Sequence, residues 1–320
     1  MQLFFRPTEN KYEGEGILPH GTFNNTNDWN PLIKYLEKGA IEFPDKTMFK
    51  MGDGNGKIIE QFTYKETNQR ANQIANYLIE NCSIQSEDKI GIFMLNSSEF
   101  VFSILATHKT GAIQVPVNKD EKGERLLYVI NYSEMKVLII DKSAIDLIEP
   151  IASKFENLER IFISGSEGSI PSSLGNINCE KFESFNNGSI DNPDIELTIA
   201  NKERCMFTSG TTGMPKGVVR EHGGVLMTVR SYIQHQGIRS DDTLMSVLSL
   251  GHANAQAMCL FAAIGAGCTA VFFPKFSASN FWKWAHDCGA TVTNFLGAVA
   301  EYLWSAKPSD YDQKHNVRIV

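Results

Sequence analysis

The densest chemistry in this sequence sits in Phe207-Thr208-Ser209-Gly210-Thr211-Thr212-Gly213-Met214-Pro215-Lys216-Gly217. Its three glycines let the backbone turn tightly and bring N–H groups close to a ligand. Thr208, Ser209, Thr211 and Thr212 add hydroxyls, and Lys216 adds a positive charge. That combination suits the phosphates of a nucleotide. It is not a Walker A loop, which would need glycine where Pro215 stands. A second polar group, His252, Asn254 and Gln256, lies in Thr243–Pro274, a stretch without Asp, Glu, Lys or Arg.

The surrounding elements must position these groups. The loop is expected to follow a strand at Glu203–Phe207 and precede a helix near Glu221–His235. Apolar spacing predicts a helix over Trp29–Phe43 with Asp28 as N-cap. Thr47–Met51 and Lys57–Phe62 flank Gly52-Asp53-Gly54-Asn55-Gly56, a hairpin signal. Thr63-Tyr64-Lys65-Glu66 is a capping box that should start a helix running to about Glu80. Strands are then expected at Lys89–Leu95, Ala112–Val117, Lys136–Ile140 and Arg160–Ile163. Helices at Glu99–Lys109, Arg125–Tyr132 and Ala144–Phe155 separate them. Ser164–Asn201, dense in Ser, Gly, Asn and Glu, reads as a linker. Beyond the loop come a strand at Leu244–Leu250, a helix at Ala255–Ile264 and a strand at Cys268–Phe273. Asn280–Cys288 and Ala298–Ala306 read as helices, Thr291–Phe295 and Val317–Val320 as strands. Such alternation predicts an α/β fold with parallel sheets covered by helices. The expected organisation is an irregular lead-in over 1–27 and two doubly wound subdomains. The first covers 28–195. The second covers 196–320, carries the loop and is incomplete at its C-terminal end.

Composition narrows the class. The 320 residues are 42% hydrophobic and 21% charged, an ordinary globular balance. A net charge of −7 makes a poor generic binder of nucleic acid or anionic membrane. Six cysteines without a CxxC pair fit reduced thiols in a cytoplasmic protein. The opening residues lack the pattern of a signal peptide. Gly265 and Gly267, with His252, Asn254 and Gln256, argue against a membrane span in Thr243–Pro274, which splits instead into strand, helix and strand. The seven histidines show no metal-binding spacing, so no dedicated metal site is expected.

The string TSGTTGMPKG, from Thr208 to Gly217, resembles the phosphate-binding signature of the adenylate-forming superfamily of AMP-dependent synthetases and ligases. The resemblance implies a two-step reaction. A carboxylic acid attacks the α-phosphate of Mg·ATP, and a thiol, usually coenzyme A, then displaces AMP. It also implies that Thr208, Ser209, Gly210, Thr211, Thr212, Gly213 and Lys216 hold phosphate. Lys216 and Thr208 become the catalytic candidates, while Pro215 and Gly217 shape the loop. Mg would arrive with ATP. His252 matches a histidine that lines the acyl pocket of acyl-CoA synthetases, with Asn254 and Gln256 beside it. Ser249 and Gly251 depart from the usual proline and aromatic residue there. His222 matches a frequent family histidine expected to cap or orient the following helix.

Within the superfamily the sequence is most similar to the crotonobetaine/carnitine–CoA ligase group. The carriers are Met206–Val219, His252 with Gln256, Ala262–Gly267, Phe276–Trp282 and Ala290–Thr293. Gly297 departs from a proline expected in that group. The absence of Asp from Gly251–Gln256 disfavours an α-amino acid substrate. A trimethylammonium substrate would call for aromatic faces, which Phe261, Trp282, Trp284, Phe295 and Trp304 could supply. The family's later adenine, ribose and lysine motifs are not found. The resemblance therefore implies the N-terminal part of a longer AMP-forming acyl-CoA synthetase, inactive or poorly active alone. The alternative is a non-catalytic nucleotide-binding remnant of the same fold.

Overall fold

The computed structural model describes residues 29–165, 168–208 and 213–320. The expected lead-in and Asp28 lie outside that range. Helix α1 (Leu32–Glu42) starts after Pro31, which stands at the N-cap without a side-chain hydrogen bond. A proline's missing N–H costs nothing at a helix start. The hairpin of β1 (Thr47–Gly52) and β2 (Ile58–Thr63) follows, then α2 (Tyr64–Cys82). The Thr63–Glu66 capping box forms in both directions.

Alternation continues through β3 (Lys89–Phe93), α3 (Ser98–Thr110), β4 (Ile113–Pro116), α4 (Gly123–Tyr132) and β5 (Val137–Asp141). The helix expected over Ala144–Phe155 shrinks to α5 (Ile145–Ile148) between 3-10 turns. Pro150 explains the break, because it cannot donate to an α-helical bond. After β6 (Arg160–Ser164) the presumed linker carries β7 (Ser173–Leu174) and β8 (Ile177–Lys181). Strand β8 pairs in parallel with β6, so that segment extends the sheet.

The next pair of strands changes the reading of the loop. Strands β9 (Lys202–Thr208) and β10 (Lys216–Glu221) form an antiparallel hairpin, and α6 (His222–Gln236) begins only after β10. The sequence reading missed β10. Its Val218-Val219-Arg220 lacks a simple apolar alternation, and every residue of the strand is exposed. The chain continues with β11 (Thr243–Ser246) and a helical run. That run comprises α7 (Ala253–Ala255), a π-helical turn at Gln256–Phe261 and α8 (Ala262–Ala266). Strand β12 (Thr269–Phe272), α9 (Phe281–Asp287), β13 (Val292–Thr293) and α10 (Gly297–Ser305) complete the order. The expected last strand reduces to one bridge, Val292 to Ile319.

Among the described residues the strands build two sheets, ordered β10-β9-β4-β3-β5-β6-β8-β7 and β13-β11-β12-β1-β2. Both are mainly parallel, with antiparallel strands at their edges. The sheets exchange strands across residue 195. The early hairpin joins the second sheet by pairing β1 with β12, and β9 joins the first by pairing with β4. Neighbours in sequence are neighbours in a sheet only about two-thirds of the time. Alternation alone therefore misplaces such a division.

Helix α3 lies deep in the body. Phe100, Val101, Phe102, Ile104, Leu105 and Ala106 are all buried, and so are Ser103, Thr107 and Thr110 on its polar stripe. Ser97 caps it by accepting the Phe100 N–H at 3.2 Å. Its last turn buries His108 and Lys109, and the lysine's charge lies where the helix dipole favours a cation. Lys109 reaches Glu37 of α1 at 2.8 Å and Asn192 at 3.2 Å. Burial lowers its pKa to about 8, against the pull of Glu37.

Candidate functional site

The β9–β10 hairpin places Thr208 and Lys216 directly opposite one another. The Thr208 hydroxyl donates to the Lys216 carbonyl at 3.4 Å. Both residues are exposed, where the two strands run into their connecting loop. Ser209, Gly210, Thr211 and Thr212, expected to hold phosphate, lie outside the described residues. Gly213 is exposed, and a side chain there would meet no atom within 4 Å. Gly217 has a packing reason. A Cβ on it would come within 2.8 Å of Cys205 Sγ, so glycine lets the strands close on each other. Parallel pairing of β9 with β4 brings Thr208 to the carboxyl ends of the sheet, where open α/β sheets bind ligands.

A cavity of about 310 Å³ opens beside this end. Arg204, Met206 and Thr208 line it from β9, and Val218 and Arg220 from β10. Val225 and Thr228 come from α6, and Asn254, Ala257 and Met258 from the helical run after β11. The cavity is thus mixed: apolar walls with two guanidinium groups and a few neutral donors. It brings Thr208 and Asn254 together. Asn254 Oδ1 accepts a hydrogen bond from the Asn294 side-chain amide.

The other two pocket candidates take different places. His252 is exposed, precedes α7 and does not line the cavity. Its backbone N–H closes a turn onto Ser249 at 3.0 Å. Gln256 is fully buried at the start of the π turn. Its carbonyl accepts from Arg204 Nη1 at 2.9 Å, and its amide donates to the Leu250 carbonyl at 2.7 Å. Gln256 therefore positions Arg204 instead of facing the cavity. A π turn re-aims helix side chains in this way.

Behind the cavity is a buried polar cluster that the sequence did not reveal. Glu203 Oε1 lies 3.2 Å from His108 Nε2, and Glu203 Oε2 lies 3.3 Å from Arg204 Nε. None of these contacts has hydrogen-bond geometry at Glu203. Burial raises the Glu203 carboxyl to about 7, although Arg204 pulls it down. Burial lowers His222 to about 4, helped by Arg204, and drives His108 well below the usual histidine range. The two imidazoles meet edge to face at 5.4 Å. His222 thus packs neutral in the first turn of α6, its ring against His108. The adjacent charges Lys202-Glu203-Arg204 inside a strand were the available signal for this cluster.

The aromatic residues considered for a cation site are elsewhere. Trp284 is buried and stacked on Phe273 at 4.8 Å, Trp282 stacks on His315 at 4.3 Å, and Trp304 is 92% exposed. Phe261 packs on His108, and Phe295 packs on Phe281. None of the five lines the cavity.

No helix among the described residues is long and apolar enough to cross a membrane. No group of three or more His, Cys, Asp or Glu among them could hold a metal ion.

Two mainly parallel sheets with a cavity at the carboxyl ends of their strands define an α/β protein with a candidate ligand site. The family model "AMP-binding enzyme" matches residues 36–320, and the chain belongs to that family. It is 27% identical over 293 residues to a crotonobetaine/carnitine–CoA ligase of Proteus mirabilis, covering 91% of this chain and 54% of that protein. It is 30% identical over 286 residues to a medium/long-chain-fatty-acid–CoA ligase of Mycobacterium tuberculosis, covering 88% and 44%. The anthranilate CoA ligase AuaEII, solved with anthranoyl-AMP, superposes with a TM-score of 0.80 at 22% identity, covering 91% of this chain and 54% of that one. The chain thus spans about half the length of the curated relatives it matches.

Proposed function

We propose that this chain supplies the nucleotide-phosphate and acid-binding part of an AMP-forming acid–thiol ligase. The observation that carries the reading is the pairing of Thr208 with Lys216 across the hairpin mouth, beside a cavity that both sheet and helix wall off. Family membership and the ligase names of the relatives support it.

In the first step a carboxylate oxygen of the acid attacks the α-phosphorus of ATP. A carboxyl–phosphate anhydride forms, and the bond to pyrophosphate breaks. Negative charge grows on the departing oxygen. Lys216 and the Thr208 hydroxyl would meet that charge. Mg, bound with ATP, would neutralise phosphate charge. In the second step a thiol such as coenzyme A attacks the acyl carbon. The thioester forms, AMP leaves, and the thiol proton passes to solvent. Asn254 and the apolar wall of Val225 and Met258 would hold the acid while water is kept out.

The test is nucleotide binding by the 320-residue chain, followed calorimetrically. ATP should bind weakly, and Lys216→Ala should weaken it a further ~10- to 100-fold, the worth of a charged hydrogen bond. Unchanged affinity in that variant would remove Lys216 from the phosphate site. Acid-dependent release of pyrophosphate would separate a ligase from a nucleotide-binding remnant, and we expect the chain alone to release little.

A further inference from the structure

We propose that the acid carries a second anionic group at its far end, a medium-length dicarboxylic acid, and that Arg220 reads it. The inference deepens the ligase reading and rests on it. Arg204 and Arg220 are directly opposite in the β9–β10 ladder, so both side chains leave the same face of the sheet, and both line the cavity. No carboxylate lines that cavity. Arg204 is already served. Its Nε faces Glu203 at 3.3 Å, and its Nη1 donates to Gln256 at 2.9 Å. Arg220, the other guanidinium of the cavity, has neither an ion pair nor a side-chain hydrogen bond among the described residues.

Position makes this free charge a reader of the far end. Thr208 and Lys216, where the reacting carboxylate must meet phosphate, form one cross-strand pair. Arg204 and Arg220 form another, four residues along each strand. At strand rise that is about 13 Å. Side chains reaching in from both ends shorten the gap to the span of a medium-chain diacid. The wall between them, Met206, Val218 and Val225, is apolar and suits the methylenes. A planar guanidinium matches a carboxylate in two parallel bonds. The same charge disfavours a trimethylammonium acid. The relatives' names mention carnitine and fatty acids, so the assignment departs from both.

The experiment compares suberate, octanoate and crotonobetaine by calorimetry on the 320-residue chain held saturated with a non-hydrolysable ATP analogue. Suberate should bind at least ~10-fold more tightly than octanoate, and crotonobetaine most weakly. Arg220→Gln should remove the suberate advantage over octanoate, and an unchanged thermal melt shows that the variant is folded. Arg220→Lys should restore part of it. Preference for octanoate or crotonobetaine, or suberate binding indifferent to Arg220→Gln, would overturn the dicarboxylate assignment and leave the ligase reading standing. Loss of ATP-analogue affinity in Arg220→Gln without any acid would instead make Arg220 a nucleotide contact and overturn it. If the analogue binds but no acid does, the dicarboxylate assignment fails. If neither binds, the ligase reading fails with it.

Discussion

Single residues set the electrostatics behind the cavity. Glu203 is buried between His108 and Arg204, and its carboxyl is raised to about 7 from an ordinary 4.5. Between those values the folded chain keeps a proton that the unfolded chain has lost. The stability from this group is therefore present below pH 4.5 and is lost as pH rises through 7. His222 works in the opposite sense. Its folded value near 4 lies below the ordinary 6.5, so its contribution is present above 6.5 and lost as pH falls toward 4. Glu203→Gln keeps the shape and removes one titration. Its melting temperature should rise relative to the parent as pH goes from about 5 to about 8. A gap between the two proteins that stays constant across that range would show that Glu203 is ionised throughout.

At the scale of elements, the β9–β10 hairpin carries the site. It holds Thr208 against Lys216 and Arg204 against Arg220, and its closeness depends on Gly217. Gly217→Ala puts a methyl 2.8 Å from Cys205 Sγ, nearer than such atoms pack. Pressure on the Cys205 side chain should loosen the pairing, and backbone amides of β10 should exchange with solvent faster by about tenfold. Cys205→Ala in the same chain opens space and should return the exchange toward the parent. Fast exchange that persists in the double variant would place the cause outside this contact.

At the scale of the molecule, a buried asparagine links the two sheets. Asn96, after β3 of the larger sheet, donates to the carbonyls of Leu248 at 2.8 Å and Phe273 at 3.0 Å. It accepts the Leu250 N–H at 2.7 Å. Those partners follow β11 and β12 of the smaller sheet, so one side chain ties the carboxyl ends of both. Asn96→Ala leaves them unbonded in a buried place and should cost about 3 kcal/mol in denaturant unfolding. Asn96→Asp keeps the acceptor but loses the donors, and should recover little. A cost under about 0.5 kcal/mol for the alanine variant would mean that water replaces all three bonds.

Local sequence signals determined the elements whose cause is local. The Thr63–Glu66 box starts α2, the glycine-rich turn joins β1 to β2, and apolar runs become the buried strands β3, β5 and β6. The Thr208–Gly217 string sufficed to point to the family, because its signature lies within one continuous segment. What lay between distant segments was not written locally. Strand β10 is exposed and gains its order from β9, and Gln256 turns inward because Arg204 arrives from a strand 52 residues away. The membership of β1 in the second sheet depends on β12. The meeting of Arg204, Arg220 and Asn254 around one cavity depends on how sheet and helix pack. Pairing partners and cavity walls are decided by which buried faces find cover, and only the assembled fold makes that choice.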